Sequence, residues 1–460
     1  MRAASRAMPA RRALHAMVLL SASLVLGLGA HNALGGASLD WPQWRGAGGA
    51  GISTSTTAPL SWSSQENVAW RTGLPGRGHS SPVVAHGKVF LTAEVPGEVI
   101  PGAKAPKHKI EGEDFRHPES LGADVSHKLL VIALDAGTGA MLWQRTVYEG
   151  RMYDDRHRKG SYAAPTPVTD GKRVFAFFGG EGLYACNLDG KIVWSQSLGH
   201  LGSLGMGPGS SPILAGGNIV VQCDQETGEG SFIAGFDAAS GKERWRTARK
   251  ASASWATPLV AKIGGRDAVI ASGNEQIAAY DARTGAEILS LPGLENNAIP
   301  SPVSGQGLAF LAAGYPKKHT LALRLQAPAH TDATNRIAWT YDKGAAYVPS
   351  PIYYEGSLYL MTDSGMLTCL DATSGKPRYE GERVPFPSKF TASPLALRGH
   401  LLLTSETGDT FVVKAGPKHE VVATNRVGEP VFASLAVAGD KIFLRGATNL
   451  FCIAAPKPKS

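Results

Sequence analysis

Charge is scarce in this chain: 18% of its 460 residues are Asp, Glu, Lys or Arg, against about 25% in an average soluble domain. Cysteine is scarcer still. The four cysteines, Cys186, Cys223, Cys369 and Cys452, form no C-x-x-C pair and no adjacent pair, which excludes zinc-ribbon and thioredoxin-type chemistry. Each sits in an apolar, strand-like run and their wide spacing gives no disulfide framework, so four free buried thiols are expected, although an exported location would permit a bridge between neighbouring strands. There is no Gly-x-Ser-x-Gly elbow and no EF-hand spacing, so neither a serine-hydrolase motif nor a calcium loop is present. No segment after residue 37 approaches 18 uninterrupted apolar residues, so no membrane span is expected once the leader is removed.

What is abundant is punctuation. Fifty-five glycines and 29 prolines interrupt every stretch long enough for a substantial helix. The 43% hydrophobic content still supports large cores and rules out wholesale disorder. The first 37 residues read as an export signal. Arg2, Arg6, Arg11 and Arg12 form a basic start without acids, an apolar run covers 16–30, and small residues follow at Gly35-Gly36-Ala37. The formal charge of +8 (46 cations against 38 acids) falls to +4 when those four arginines are removed. That balance is ordinary and gives no reason to expect nucleic acid. An exported bacterial location, periplasmic or secreted, is expected, with an N-terminal extension at 38–66 and a short tail at 456–460.

Repetition organises the remainder. Ser81-Pro82, Thr166-Pro167, Ser211-Pro212, Thr257-Pro258, Ser301-Pro302, Ser350-Pro351 and Ser393-Pro394 recur at intervals of 43 to 49 residues, apart from a first interval of 85. Ser434-Leu435 opens a degenerate eighth unit. Within each unit a short apolar strand, a Gly turn, a second strand and a third strand follow. The third strand ends in Asp-Ala-x-Thr/Ser-Gly, as at 135–139, 237–241, 281–285 and 371–375, and a fourth strand often carries Trp. In that turn Asp accepts backbone N–H groups two residues on, and Gly takes the positive φ that closes the hairpin. Four short strands at this period indicate a propeller blade. The last unit stops without a Trp strand, whereas Asn67-Val68-Ala69-Trp70 is a Trp strand without a preceding blade. The expected fold is therefore all-β: an eight-bladed β-propeller of four-stranded antiparallel blades over 67–455, closed by pairing of its N- and C-terminal segments. Insertions interrupt it at about 95–127 and 148–162.

The recurring Ala-x-Asp-x-x-Thr-Gly-x-x-x-Trp pattern resembles the tryptophan-docking motifs of pyrroloquinoline-quinone-like (PQQ-like) propellers, over roughly residues 60–453. The segment Asp40-Trp41-Pro42-Gln43-Trp44-Arg45-Gly46 also resembles bacterial exported members. The resemblance implies that Trp70, Trp143, Trp194, Trp245 and Trp339 pack each blade on its neighbour.

Residues just before each Ser/Thr-Pro step are expected at one mouth of the channel: His79, Tyr162, Met206, Trp255, Asn297, Tyr347, Lys389 and Phe432. Trp255 or Tyr347 could stack on a planar ligand, and Lys389 and His79 could meet anionic groups. A second set, Glu181, Asp224, Asn274, Asp363 and Glu406, is hard enough for calcium but reads more simply as strand-end caps, so no metal site is assigned. The charged run at 153–159 reads as a solvated, self-neutralising loop, with His157 beside Asp154 or Asp155 a conceivable acid–base pair. Two functions compete. One is a non-catalytic scaffold binding a protein or peptide in the cell envelope, or a small planar or anionic ligand. The other is a PQQ- and calcium-dependent dehydrogenase of alcohols or sugars. Such dehydrogenases resemble this repeat but usually run longer and carry a vicinal disulfide that this chain lacks, so no cofactor is assigned and the enzyme reading is the weaker one.

Overall fold

A computed structural model describes residues 40–456 apart from Glu111, Asn296 and 328–330. The leader expected at 1–37 lies outside the described residues, as does all but the first residue of the tail. Eight antiparallel four-stranded sheets follow one another in chain order, as the eight-bladed propeller requires. Helix is confined to Ala333–Arg336 and two 3-10 turns among the described residues.

Blade 1 runs from the inner strand Val83–Ala85 through Lys88–Val99 and Val125–Asp135 to the outer strand Met141–Arg151. Six blades of the same order follow. Blade 8 contributes Ala436–Ala438, Lys441–Arg445 and Asn449–Ile453 from the end of the chain and takes its outer strand, Val68–Gly73, from the start. Trp70 lies opposite Cys452 and Thr72 opposite Leu450. Closure therefore hydrogen-bonds the two ends of the ring to each other.

The Asp-Ala-x-Thr-Gly turns behave as hydrogen-bond chemistry requires. Asp135 Oδ1 accepts from the N–H groups of Gly137 and Thr138, at 3.0 and 2.7 Å, and from Thr138 Oγ1 at 2.9 Å. Asp237 and Asp281 repeat the arrangement. A register shift recurs where the outer strand leaves this turn, for instance between Ala133 and Leu134, Ala185 and Cys186, and Gly235 and Phe236. The extra residue twists the outer strand locally.

The glycine of the turn has a second task. Gly139, Gly190, Gly241, Gly285 and Gly375 have φ between +69° and +83°, and a Cβ on each would lie 2.3 to 2.6 Å from Trp70, Trp143, Trp194, Trp245 and Trp339 respectively. Every pair joins the outer strand of one blade to the turn of the next. Trp143 Nε1 donates to Leu188 O at 2.9 Å, Trp194 Nε1 to Ala238 O at 3.1 Å and Trp339 Nε1 to Ala372 O at 3.0 Å. Blade 4 has Leu289 in place of Trp and blade 6 has Tyr379, as their pairing with Ala279 and Cys369 shows.

The core lies between blades rather than within them. Phe175, Phe177, Ile219 and Val221 form one buried cluster across blades 2 and 3, and Ile270, Ile277, Leu311 and Leu323 another across blades 4 and 5. All four cysteines are free and buried, Cys223, Cys369 and Cys452 of them within such clusters. Burial raises the Cys186 thiol to about 11 and the Cys452 thiol to about 12.

The segment before the first outer strand enters the ring. Trp41 bridges Val84 of blade 1, Pro42 O accepts from Thr169 N of blade 2 at 2.8 Å, and Ile52–Ser53 adds a parallel strand to the inner edge of blade 7 at Leu395–Leu397. Inner strands border the channel of a propeller, so residues 41–53 cross one end of it.

Candidate functional site

Proline at the head of seven of the eight inner strands fixes φ and donates no hydrogen bond, which leaves the preceding Ser or Thr to make the contacts there. The N–H of Ser81 donates to Thr166 Oγ1 at 2.9 Å, Thr166 N to Ser211 Oγ at 3.0 Å, and Ser211 N to Thr257 Oγ1 at 2.9 Å. The series continues through Ser301, Ser350, Ser393 and Ser434 at 2.8 to 3.0 Å. It closes when Ser434 N donates to Ser81 Oγ at 3.0 Å. Eight hydrogen bonds thus form a closed collar, one per blade junction. A hydroxyl is needed at every step, which explains why Ser434 persists where the proline has been lost.

A cavity of about 180 Å³ lies within this collar, touched by all eight collar residues and by Trp44 of the N-terminal segment. The other lining positions lie two residues before each collar residue: His79, Ala164, Gly209, Trp255, Ile299, Val348, Thr391 and Phe432. Of the residues expected at the mouth, His79, Trp255 and Phe432 occupy this spacing and meet the cavity. His79 stacks on Phe432 with centroids 4.7 Å apart, and Trp255 Nε1 donates to Gly207 O at 3.0 Å. The rest sit elsewhere because they lie three to five residues ahead of the step. Tyr162 is 1% exposed among blades 1 and 2, its hydroxyl donating to Asp154 O at 2.8 Å. Tyr347 packs on Tyr315 with centroids 5.4 Å apart, and Asn297 lines a separate surface depression with Asn274 and Glu295. Lys389 contributes its carbonyl to Glu406 N at 2.8 Å, and the Met206 carbonyl accepts from His157 N at 3.2 Å.

The carboxylates and amide that follow the second strands hold loops in place. Asp363 accepts from the N–H groups of Tyr347 and Val348 at 3.0 and 2.9 Å, Glu406 from Thr391 Oγ1 at 2.7 Å, and Glu181 from Tyr153 N at 2.8 Å. Asn274 donates to Ser252 Oγ. Asp224 is paired with Arg249 at 2.7 Å, both side chains fully buried. Glu94 was not singled out from sequence, yet it does the same in blade 1, accepting from Tyr162 N at 2.6 Å and pairing with Arg156 at 3.0 Å. Burial raises the carboxyl of Glu181 to about 7.

The charged insertion is solvated only in part: Tyr153, Arg158 and Lys159 are exposed, but its centre is not. Asp154, Asp155 and Arg156 are 6%, 1% and 8% exposed, because the first insertion folds over them. His108, on the hairpin His108–Ile110 to Glu113–Phe115, lies between Asp154, at 2.9 Å, and Glu226. Its close pairing with Asp154, and with Glu226 on the other side, raises its imidazole to about 9, so it is cationic at neutral pH. Asp154 also accepts from Ser203 N and Oγ at 2.8 and 2.7 Å; these contacts and His108 outweigh its burial and hold it ionised. The acid–base pairing considered for His157 does not form: its partner is Glu119 at 2.6 Å.

These residues do not fit a bound quinone with calcium. Among the described residues no three His, Cys, Asp or Glu side chains converge as a metal set, and the acids that could contribute are committed to loop N–H groups or to Arg. No two of the four cysteines are adjacent. The 180 Å³ cavity is also smaller than the roughly 300 Å³ at which drug-sized ligand sites begin.

Fold and channel together define an eight-bladed propeller with a hydroxyl-collared, partly plugged lumen. The chain belongs to the PQQ-like propeller family whose model is described as outer membrane protein assembly factor BamB, matched over residues 123–312 and 229–391. No curated protein matches it. Among solved structures it is similar to BamB from Moraxella catarrhalis, at 13% identity over 81% of this chain and 99% of that one, with a TM-score of 0.53. It is also similar to a europium-containing methanol dehydrogenase, at 11% identity over 89% and 90%, TM-score 0.59. A quinohemoprotein alcohol dehydrogenase from Comamonas testosteroni matches at 12% identity over 92% and 82%, TM-score 0.58. Identities this low show a shared fold and do not separate scaffold from enzyme.

Proposed function

We propose that the protein is an exported propeller that acts as a non-catalytic scaffold, binding a protein or peptide partner in the cell envelope. The observation that carries this reading is the lumen. Residues 41–53 cross one end of it, its collar oxygens accept the N–H groups that join the blades, and no carboxylate lines its cavity. The outer surface and the mouth at His79, Phe432 and Trp255 are available to a partner. Export is supported by the basic and apolar character of residues 2–30, and an envelope partner is in keeping with the assembly factor named by the family description.

The test titrates purified protein with PQQ and calcium by calorimetry and follows dye reduction with a panel of alcohols and sugars. The scaffold reading expects no saturable heat at micromolar PQQ and no substrate-dependent reduction. Micromolar binding with alcohol-dependent turnover would replace it with the dehydrogenase. In parallel, photo-crosslinking residues around the mouth should yield a discrete adduct in cells, reduced by Trp255→Ala.

A further inference from the structure

One buried charge lies unanswered beside the lumen, next to the lining residue Trp44 but not itself part of the cavity wall. Arg45 is 2% exposed, and none of its Nε, Nη1 and Nη2 atoms has a hydrogen-bond partner among the described residues. The other deeply buried arginines have partners: Arg249 meets Asp224, Arg156 meets Glu94, and Arg445 donates to Ser80 and Thr92. The guanidinium carbon of Arg45 lies 5.6 Å from the ring centre of Trp44, which lines the collared cavity. A Cβ on Gly51 would be 2.8 Å from Arg45 Nη2 and 3.1 Å from Pro394 O, the carbonyl following collar residue Ser393. Gly51, with φ of +72°, keeps that space clear. Arg45 therefore sits beside the collar at the plugged end.

The collar supplies a second, independent observation. Each of its oxygens accepts a backbone N–H from the preceding blade, but none of its eight O–H groups donates to an acceptor among the described residues. All eight residues touch one cavity, and no carboxylate lines it. The surroundings are positive as well. Burial first, then Arg77, Arg445 and Arg156, hold the His79 imidazole far down at about 3, with no positive charge of its own.

We propose that the collared channel is a binding site for a small oxyanion, held by inward-turned Ser and Thr hydroxyls and balanced by the charge of Arg45. Charge-assisted hydrogen bonds to an anion are the strong class, and the anion supplies acceptors that the protein does not. Water alone would satisfy the hydroxyls but would leave the guanidinium charge uncompensated. The 180 Å³ of space is ample for several waters or for a phosphate-sized ion.

Calorimetry on the full chain tests this with potassium phosphate, sulfate and acetate at constant ionic strength, with potassium chloride as the cation control. One saturable oxyanion site per chain is expected, with affinity at least about tenfold weaker in Arg45→Gln and within about threefold of wild type in Arg45→Lys. The wild-type titration decides alone if Arg45→Gln fails to fold. Absence of saturable oxyanion binding up to about 10 mM, saturation by potassium chloride alone, or undiminished binding by folded Arg45→Gln would each overturn the proposal. None of these results depends on whether the surface binds a partner.

Discussion

Gly241→Ala separates the two demands placed on the glycine of each docking turn. Gly241 has φ of +72°, and a non-glycine residue there costs roughly 1–2 kcal/mol. Its Cβ would also fall 2.5 Å from the Trp194 ring. Trp194 is 9% exposed, wedged between blades 2 and 3, and donates to Ala238 O at 3.1 Å, so it cannot swing aside without losing that bond. Overpacking of this kind costs about 1–3 kcal/mol, for a total of roughly 2–5 kcal/mol. Gly217→Ala is the control, because Gly217 has φ of +82° and nothing within 4 Å of the new methyl, so it should lose only the conformational 1–2 kcal/mol. Urea unfolding by circular dichroism measures both, provided the slope is unchanged between variants. Losses within about 0.5 kcal/mol of each other would refute the claim that the docked tryptophan, rather than backbone conformation alone, requires glycine there.

Three further outcomes are expected. Native protein should leave all four cysteines unreactive toward a thiol reagent at pH 8, since they are buried and their thiols are raised, and denaturant should expose four equivalents; rapid labelling of any cysteine in the folded state would contradict the interblade core. Because burial lifts Glu181 to about 7, the folded state holds a proton that the unfolded chain has released, so its contribution favours folding at acid pH and fades as pH rises from the ordinary carboxylate value toward 7. Glu181→Gln should flatten that part of the stability–pH curve and stabilise the protein at pH 8, whereas an unchanged curve would show that the carboxyl is not desolvated. His108→Ala should leave Asp154 and Glu226 without their shared cation, and limited proteolysis should then cut faster within 95–127 than in wild type; identical digestion would mean that the insertion is held by its strand pairing alone.

Much of the architecture was legible because the signals are local. Asp135, Thr138 and Gly139 lie within five residues and close their own hairpin, and the same residues recur in register. The orphan Trp70 strand announced its partner because the last unit lacked one. The site was far less legible. His79, Trp255 and Phe432 reach the cavity while Tyr162, Tyr347 and Lys389 do not, and the difference is the offset from the collar residue. The recurring hydroxyl at all eight steps is visible in the sequence, but the N–H that each one accepts comes from 41 to 85 residues away, or 353 at the closure. The insertion read as solvated because charge density is a sequence property, whereas the burial of Asp155 depends on Ala123 and Arg116 folding back over it.

By itself the sequence determined the number of blades, the hairpin chemistry and the closure of the ring, since each is encoded by residues a few positions apart or by simple repetition. Tertiary structure decided what the lumen is. The collar is completed by a bond between residues 353 positions apart in the chain, and its plug is an irregular segment without periodicity. Whether a hydroxyl or a guanidinium finds a partner depends on which blades surround it, and that is settled only when all eight close into one ring.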